Sequence, residues 1–220
     1  MRDRAQSALL QPLGVTGYGP KHAVLFLIDD LGYSDTNHMG ADFETPEIDR
    51  LALGGIRLNQ SYASMVCSPS RASLLTSRYA YNIGMDGNVL ELGDARCLPA
   101  GITTMGHQMQ QNGVRTAFIG KWDVGYSSWA CTPNCQGFDY FLGYYGPYSD
   151  YYTREAKPRA LYEDGLRQNS TFDMHENYDI VSFPGEYSTD LFFRKAITWI
   201  RNQTADGASP STFLQIATQA

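Results

Sequence analysis

The run Ala23-Val24-Leu25-Phe26-Leu27-Ile28 constrains the fold more than any other segment, with Lys21-His22 before it and Asp29-Asp30 after it. Six consecutive apolar residues without polar alternation suit a strand buried on both faces of a parallel sheet. We read it as the central strand. Thr45 as N-cap, Pro46 at the first helical position, Ile48 and Leu51 on one face and Gly54-Gly55 as a stop predict a short helix packed on that sheet. A further helix opens with Ser68 as cap and Pro69 at its first position, runs through Ala72, Leu74 and Leu75, and fades near Tyr79.

Farther along, Thr103-Thr104 through Met105 and Met109 to Asn112-Gly113 reads as a helix, and Val114 to Gly120 as a strand. Ser188 caps a last helix carrying Leu191, Phe192, Ala196, Ile197 and Ile200, and Thr212 to Ala217 returns as a strand. This alternation predicts an α/β fold, a large mixed and mostly parallel sheet flanked by helices. The aromatic stretch Phe138, Tyr140, Phe141, Tyr144, Tyr145, Tyr148, Tyr151 and Tyr152 could stack on sugar rings, but packing is the more ordinary use. No solenoid-period repeat or low-complexity tract is present, and Asp206 to Ser211 reads as a loop.

At 220 residues and 43% hydrophobic content the chain can bury a sizeable core. A net charge of −6 and a pI near 5.1 argue against nucleic acid as a partner, so any anionic ligand must be held by a local cluster of cations. No apolar run approaches a membrane span. The segment Met1 to Pro12 lacks a convincing signal-peptide core, whereas the sequons at Asn59, Asn169 and Asn202 favour the secretory pathway, lysosomal or extracellular. Cys131 and Cys135 lack a second ligand pair at zinc spacing. In an oxidising compartment a Cys97–Cys131 disulfide is the better reading, which leaves Cys135 free or paired outside the chain.

Two chemical features stand out. Asp29 and Asp30 follow the apolar run, at the carboxyl end of a strand where α/β sheets gather ligands. Adjacent carboxylates repel unless neutralised, and as hard oxygen donors they suit Ca²⁺ or Mg²⁺; a capping or turn pair is the other reading. Cys67 precedes a helix, where free N–H groups and the macrodipole favour an anion and lower a thiol's pKa. Arg71, within the first turn, can add a permanent positive charge; the alternative is a structural cysteine beside an ordinary capped helix.

The segment Cys67-Ser68-Pro69-Ser70-Arg71, followed by Leu74-Leu75-Thr76-Ser77-Arg78-Tyr79, closely resembles the Cys-x-Pro-x-Arg signature of the type I sulfatases. Asp29-Asp30-Leu31-Gly32-Tyr33, Thr45-Pro46 with Asp49-Arg50-Leu51-Ala52, Gly120-Lys121-Trp122, and Gly137-Phe138-Asp139 leading to Tyr151-Tyr152 fall in the family's order. The arylsulfatase B-like members, which include N-acetylgalactosamine 4-sulfatase, look nearest. The resemblance implies the alkaline phosphatase/sulfatase-like fold over residues 22–220, with 1–21 as an N-terminal extension.

It also implies a chemistry. Cys67 would be oxidised to Cα-formylglycine by a formylglycine-generating enzyme that reads Arg71 as part of its signal. Asp29, Asp30 and the modified Cys67 would hold one Ca²⁺. The hydrated aldehyde would attack sulfur, and its second hydroxyl would expel sulfate, a route closed to plain serine or cysteine. Lys121 would bridge nucleophile and sulfate, although a lysine after a strand is more often a solvated charge. The substrates implied are sulfated sugars or aryl sulfates.

Two departures accompany the resemblance. Asp123 stands where the family has a histidine, and an ionised aspartate accepts hydrogen bonds instead of donating. The sequence also ends at Ala220, before the family's later histidine, Asp-Asn pair and second lysine, so the expectation is the N-terminal part of a catalytic domain, incomplete at its C-terminus. The competing expectations are a catalytically inactive sulfatase-like binding module and a phosphate or phosphonate monoester hydrolase.

Overall fold

The computed structural model describes residues 22–156, 171–205 and 211–219. The N-terminal extension, Asn169 and most of the Asp206 to Ser211 loop lie outside the described residues. Strands β1 (His22–Leu27), β2 (Arg115–Lys121), β3 (Tyr140–Tyr144), β6 (His175–Glu176), β7 (Asp179–Ile180) and β8 (Thr212–Ala217) form one sheet in the order β1-β8-β2-β3-β6-β7. β4 (Glu155–Ala156) pairs with β5 (Thr171–Phe172) as a separate ribbon. The helices are α1 (Pro46–Gly54), α2 (Cys67–Thr76), α3 (Met105–Gln111) and α4 (Ser188–Thr204).

The four strands β1, β8, β2 and β3 are parallel, and β6 and β7 add antiparallel pairs, so the mixed, mostly parallel expectation holds. Leu27, Ala217 and Gly120 lie in register across three strands, which brings the residues after them to one edge. Glycine is required there: a Cβ on Gly120, at φ +116°, would sit 1.8 Å from the Ala217 carbonyl oxygen. The strand spacing therefore has no room for a side chain.

β2 alternates its side chains between two apolar layers. Phe118 packs with Trp122, Phe138 and Phe141 and with Ala72 and Leu75 of α2, whereas Ala117 and Ile119 pack with Leu191, Phe192 and Trp199 of α4. The result is helix, sheet, helix. Phe118 meets Trp122 and Phe138 edge-on, with ring centroids 5.2 and 5.3 Å apart. Such edge-to-face pairs add about 0.5–1.5 kcal/mol each beyond area burial.

Several sequence readings are corrected. β1 is not central: β8 flanks it on one side, its other edge carries no strand among the described residues, and Val24 and Phe26 are 53% and 43% exposed. The late strand β8 inserts between β1 and β2, an order that no local pattern encodes. α1 forms where Thr45 and Pro46 predict, but it has no buried residue, and Leu51 faces solvent.

α2 begins two residues early, with Val66 as N-cap and Cys67 already helical, so Pro69 sits at the third position. A proline fits there because the first N–H groups of a helix lack intrahelical acceptors anyway. Ser68 makes no cap and its hydroxyl bonds elsewhere. α4 likewise takes Tyr187, not Ser188, as its N-cap. For α3 the expected threonine start holds: Thr104 accepts from the His107 amide, and the His107 side chain accepts from the Thr104 amide, a reciprocal capping box.

Candidate active site

The carboxyl edge of the parallel strands delivers Asp29 from β1, Lys121 from the last position of β2 and Asp123 two residues on. α2 supplies Cys67, Ser68 and Arg71 from its first turn and a half. The Asp29 carboxylate is held from both sides: Arg71 Nη2 donates to Oδ1 at 3.0 Å and Lys121 Nζ to Oδ2 at 2.6 Å. Arg71 Nη1 also donates to the Lys121 carbonyl at 2.5 Å, tying helix to strand. Burial alone raises the Asp29 pKa, but the Arg71 and Lys121 charges and hydrogen bonds outweigh it and hold the group below the usual carboxylate value.

Asp123 is nearly inaccessible and sits in the left-handed region at φ 55°. It accepts from Ser68 Oγ at 2.7 Å, while Ser68 Oγ accepts from the Leu90 amide at 2.9 Å. Its other oxygen lies 3.6 Å from Lys121 Nζ and 3.9 Å from Arg71 Nε. Neither that oxygen nor Arg71 Nε has a hydrogen-bond partner among the described residues. Burial drives the Asp123 pKa up despite both cations. The two buried cations thus face two carboxylates of opposite tendency, one held ionised and one pushed towards the acid.

Cys67 is a free, half-buried thiol at the mouth of this cluster. Its pKa is raised to about 11, first by burial and then by the negative charge of Asp123. The helix start was expected to lower it, and here it does not: desolvation and a neighbouring carboxylate outweigh a terminal dipole. The unmodified side chain is a thiol at neutral pH, not a thiolate nucleophile.

Asp29, Asp30, Cys67 and Lys121 open onto a cleft of about 590 Å³ whose far wall includes Glu91, Tyr148 and Tyr151. Ser149 and Gln219 also line it, with Gln219 Nε2 donating to the Ser149 carbonyl at 2.6 Å. A smaller cleft of about 260 Å³ on the Met65 side also reaches Asp29, Asp30 and Cys67. The aromatic stretch therefore divides: Phe138, Phe141, Tyr144 and Tyr145 are core, as weighed, while Tyr148 and Tyr151 line the cleft.

As cation donors, Asp29 and Asp30 have the right chemistry for a hard divalent ion and share one cleft wall with Cys67, which fits one side of such a site. The set is partial. Asp29 already accepts from two cations, Asp30 is exposed at φ 51°, and no group of three or more His, Cys, Asp or Glu able to hold a metal forms among the described residues.

The structure places Asp29, Cys67 and Lys121, all singled out in the sequence, around one cleft, with Arg71 bonded to Asp29 behind it. Sequence reasoning missed Ser68 as the link between Asp123 and Leu90, the buried Tyr144 hydroxyl, which lacks a partner among the described residues, and Gln219. Only Ser68, inside the signature, carried any local signal. Lys121, 3% exposed, is not a solvated charge. The Cys97–Cys131 disulfide is present, behind the buried Trp122, whose indole N–H donates to the Gly125 and Cys131 carbonyls.

Among solved structures, Ps i-CgsB in complex with k-i-k-neocarrahexaose superposes with a TM-score of 0.74 at 26% identity, over 92% of this chain and 45% of that one. A structure in complex with its substrate D-glucosamine-2-N,6-O-disulfate gives a TM-score of 0.68 at 25% identity, over 90% and 34%. Mouse Arylsulfatase J is 30% identical over 94% of this chain and 33% of its own length. Bovine Arylsulfatase A is 37% identical over 62% and 27%. The chain thus spans about a third of the length of mouse Arylsulfatase J and 40% of mouse Arylsulfatase G. The Sulfatase family profile matches residues 21–220, so that profile, these identities and the assembled Asp29, Cys67, Arg71 and Lys121 cluster establish that the chain belongs to the sulfatase family.

Proposed function

We propose that this chain provides the nucleophile side of a sulfuric ester hydrolase acting on a sulfated sugar or an aryl sulfate. The observation that carries the reading is the position of Cys67, at the first turn of α2 and at the mouth of the 590 Å³ cleft, beside Lys121 and the buried Arg71. A formylglycine made from Cys67 would supply an oxygen nucleophile, and a Ca²⁺ held on the Asp29 and Asp30 side would neutralise charge on the reacting groups. Lys121 Nζ lines the cleft and, once released from Asp29, would bring an ammonium to a sulfate ester there. Arg71, immobilised by Asp29 and the Lys121 carbonyl, keeps a fixed positive charge behind residue 67.

The signature supports maturation before folding. Arg71 is 2% exposed and Pro69 is buried, so a formylglycine-generating enzyme that reads them needs the extended chain. A secretory route, lysosomal or extracellular, is supported by the Cys97–Cys131 disulfide and by the exposed sequons at Asn59 and Asn202. No helix among the described residues is long and apolar enough to cross a membrane.

The test is peptide mass analysis of the segment around Cys67, from protein made in a host competent for the conversion, beside release of sulfate and phosphate from matched aryl esters. Exchange of CH₂SH for an aldehyde, with sulfate released and phosphate retained, is the expected result. An unmodified thiol in such protein removes the reading, and preferential phosphate release replaces it with a phosphomonoesterase. A second reading, an inactive module that binds sulfated glycans, is favoured by Asp123, an acceptor placed beside residue 67. It predicts binding of a sulfated sugar without turnover.

A further inference from the structure

The two oxygens of Asp123 have different surroundings. Oδ1 is anchored: it accepts from Ser68 Oγ at 2.7 Å, and that hydroxyl accepts from the Leu90 amide at 2.9 Å. Oδ2 has no hydrogen-bond partner among the described residues, although the side chain is inaccessible to solvent. A buried acceptor left without a donor is costly, so it marks a point where a donor fits. Two cations face it, Lys121 Nζ at 3.6 Å and Arg71 Nε at 3.9 Å.

Only one of the two is able to move onto it. Arg71 is clamped, with Nη1 on the Lys121 carbonyl and Nη2 on Asp29, and an advance of Nε onto Asp123 would disturb both bonds. Lys121 Nζ uses one of its three N–H groups on Asp29 at 2.6 Å, and its four-carbon stem turns without help from the backbone. That backbone is fixed. The Lys121 carbonyl accepts from Arg71, and the Trp122 and Asp123 amides donate to the Tyr144 and Tyr145 carbonyls at 3.0 and 3.2 Å. The ammonium thus stands between two carboxylates, bonded to one and a short swing from the other. Asp123 and Lys121 act on the Cys67 thiol in opposite directions, which puts the pair next to residue 67.

We propose that Asp123 is a second seat for the Lys121 ammonium: when Asp29 is engaged by another cation, Nζ turns onto Asp123 Oδ2 and stays beside residue 67 instead of swinging into solvent. Asp123 is then a positioning residue that acts through Lys121. Its use in ester hydrolysis rests on the sulfatase reading, whereas the two seats rest on the distances alone. The departure from the family's histidine gains a physical sense, because an acceptor at position 123 holds an ammonium and a hydrogen-bond donor there does not.

The test is NMR of the lysine Nζ groups in the whole 220-residue protein, labelled with ¹⁵N-lysine, made in a host that does not convert Cys67 and kept free of added metal. The lysines are Lys21, Lys121, Lys157 and Lys195, so Lys121→Gln identifies the Lys121 resonance. In Asp29→Asn, which removes the charge of the first seat, the Lys121 Nζ protons should still exchange slowly with water. Adding Asp123→Asn to that variant should speed the exchange by about tenfold or more, the scale of one lost hydrogen bond to a charged group. Asp29→Asn combined with Asp123→Glu covers the case in which the first pair fails to fold. There the longer carboxylate should keep Nζ protected and shift its resonance. Fast exchange in Asp29→Asn alone overturns the proposal, as does equal protection with and without Asp123→Asn, or a resonance that Asp123→Glu leaves in place. Because none of these readouts uses turnover, sulfate or a converted residue 67, failure here and failure of the hydrolase reading are separable.

Discussion

The β2–β3–β8 half of the molecule and the β1–α1 segment carry similar apolar content, yet they end in opposite states. Phe118, Ile119, Phe141 and Leu214 are essentially inaccessible, while Leu51, Leu53, Ile56, Leu58 and Met65 are 67–93% exposed. α2 and α4 each bury several residues, and α1 buries none. Hydrophobic patterning records that a face is suited to burial; whether it is buried depends on a second surface being present. Energy from packing should therefore be concentrated in the first region, and the candidate site sits at its margin, fed by both.

The sharpest way to break this contrast is chemical. In protein made in a host that does not convert Cys67, the thiol, with its pKa near 11, is about one-thousandth ionised at pH 8, so alkylation by iodoacetamide should modify the exposed Cys135 and leave Cys67 nearly untouched until the pH approaches 11. Rapid modification of both at pH 8, read by peptide mass, would show that the site is not packed as described. Next in size, Phe118→Ala should cost about 3–5 kcal/mol in urea denaturation, because the cavity it leaves is enclosed by Trp122, Phe138 and Phe141.

Asp29→Asn should cost about 2–4 kcal/mol, since it leaves Lys121 and Arg71 buried with only Asp123 opposite. The pH sign follows from the depressed Asp29 pKa. A carboxylate lower in the folded than in the unfolded state contributes stability above its unfolded value of about 3.8, and that stability is lost as pH falls through the folded value. Asp123, raised on folding, works the other way: its contribution favours the folded state at acid pH and is lost as pH rises. Wild-type protein should thus lose stability below about pH 4 more steeply than Asp29→Asn, as denaturation midpoints across pH would reveal. The smallest effect belongs to the open face: Leu53→Ser and Ile56→Ser should stay within about 0.5 kcal/mol of wild type in the same assay.

Legibility in the sequence follows the range of the interaction. Thr212–Ala217 falls where its pattern puts it, β2 shifts by a residue, and α3 keeps its threonine cap, because strand runs and a threonine cap are local signals. β1 was visible as a strand but not as an edge, since position in a sheet depends on which partners arrive. The Cys67 to Arg71 signature was readable as a motif, whereas the direction of the Cys67 pKa was not, because it depends on burial and on Asp123, far along the chain.

By itself the sequence determined the α/β alternation, the apolar strands and the signature residues, all properties of neighbouring or motif-spaced side chains. Only the tertiary structure decided that β8 separates β1 from β2, that Lys121 meets Asp29 across 92 residues, and that Ser68 links Asp123 to Leu90. The physical reason is that register fixes which strand ends coincide. Once Leu27, Ala217 and Gly120 align, the charges that follow them share one small volume, and their energies become properties of the group.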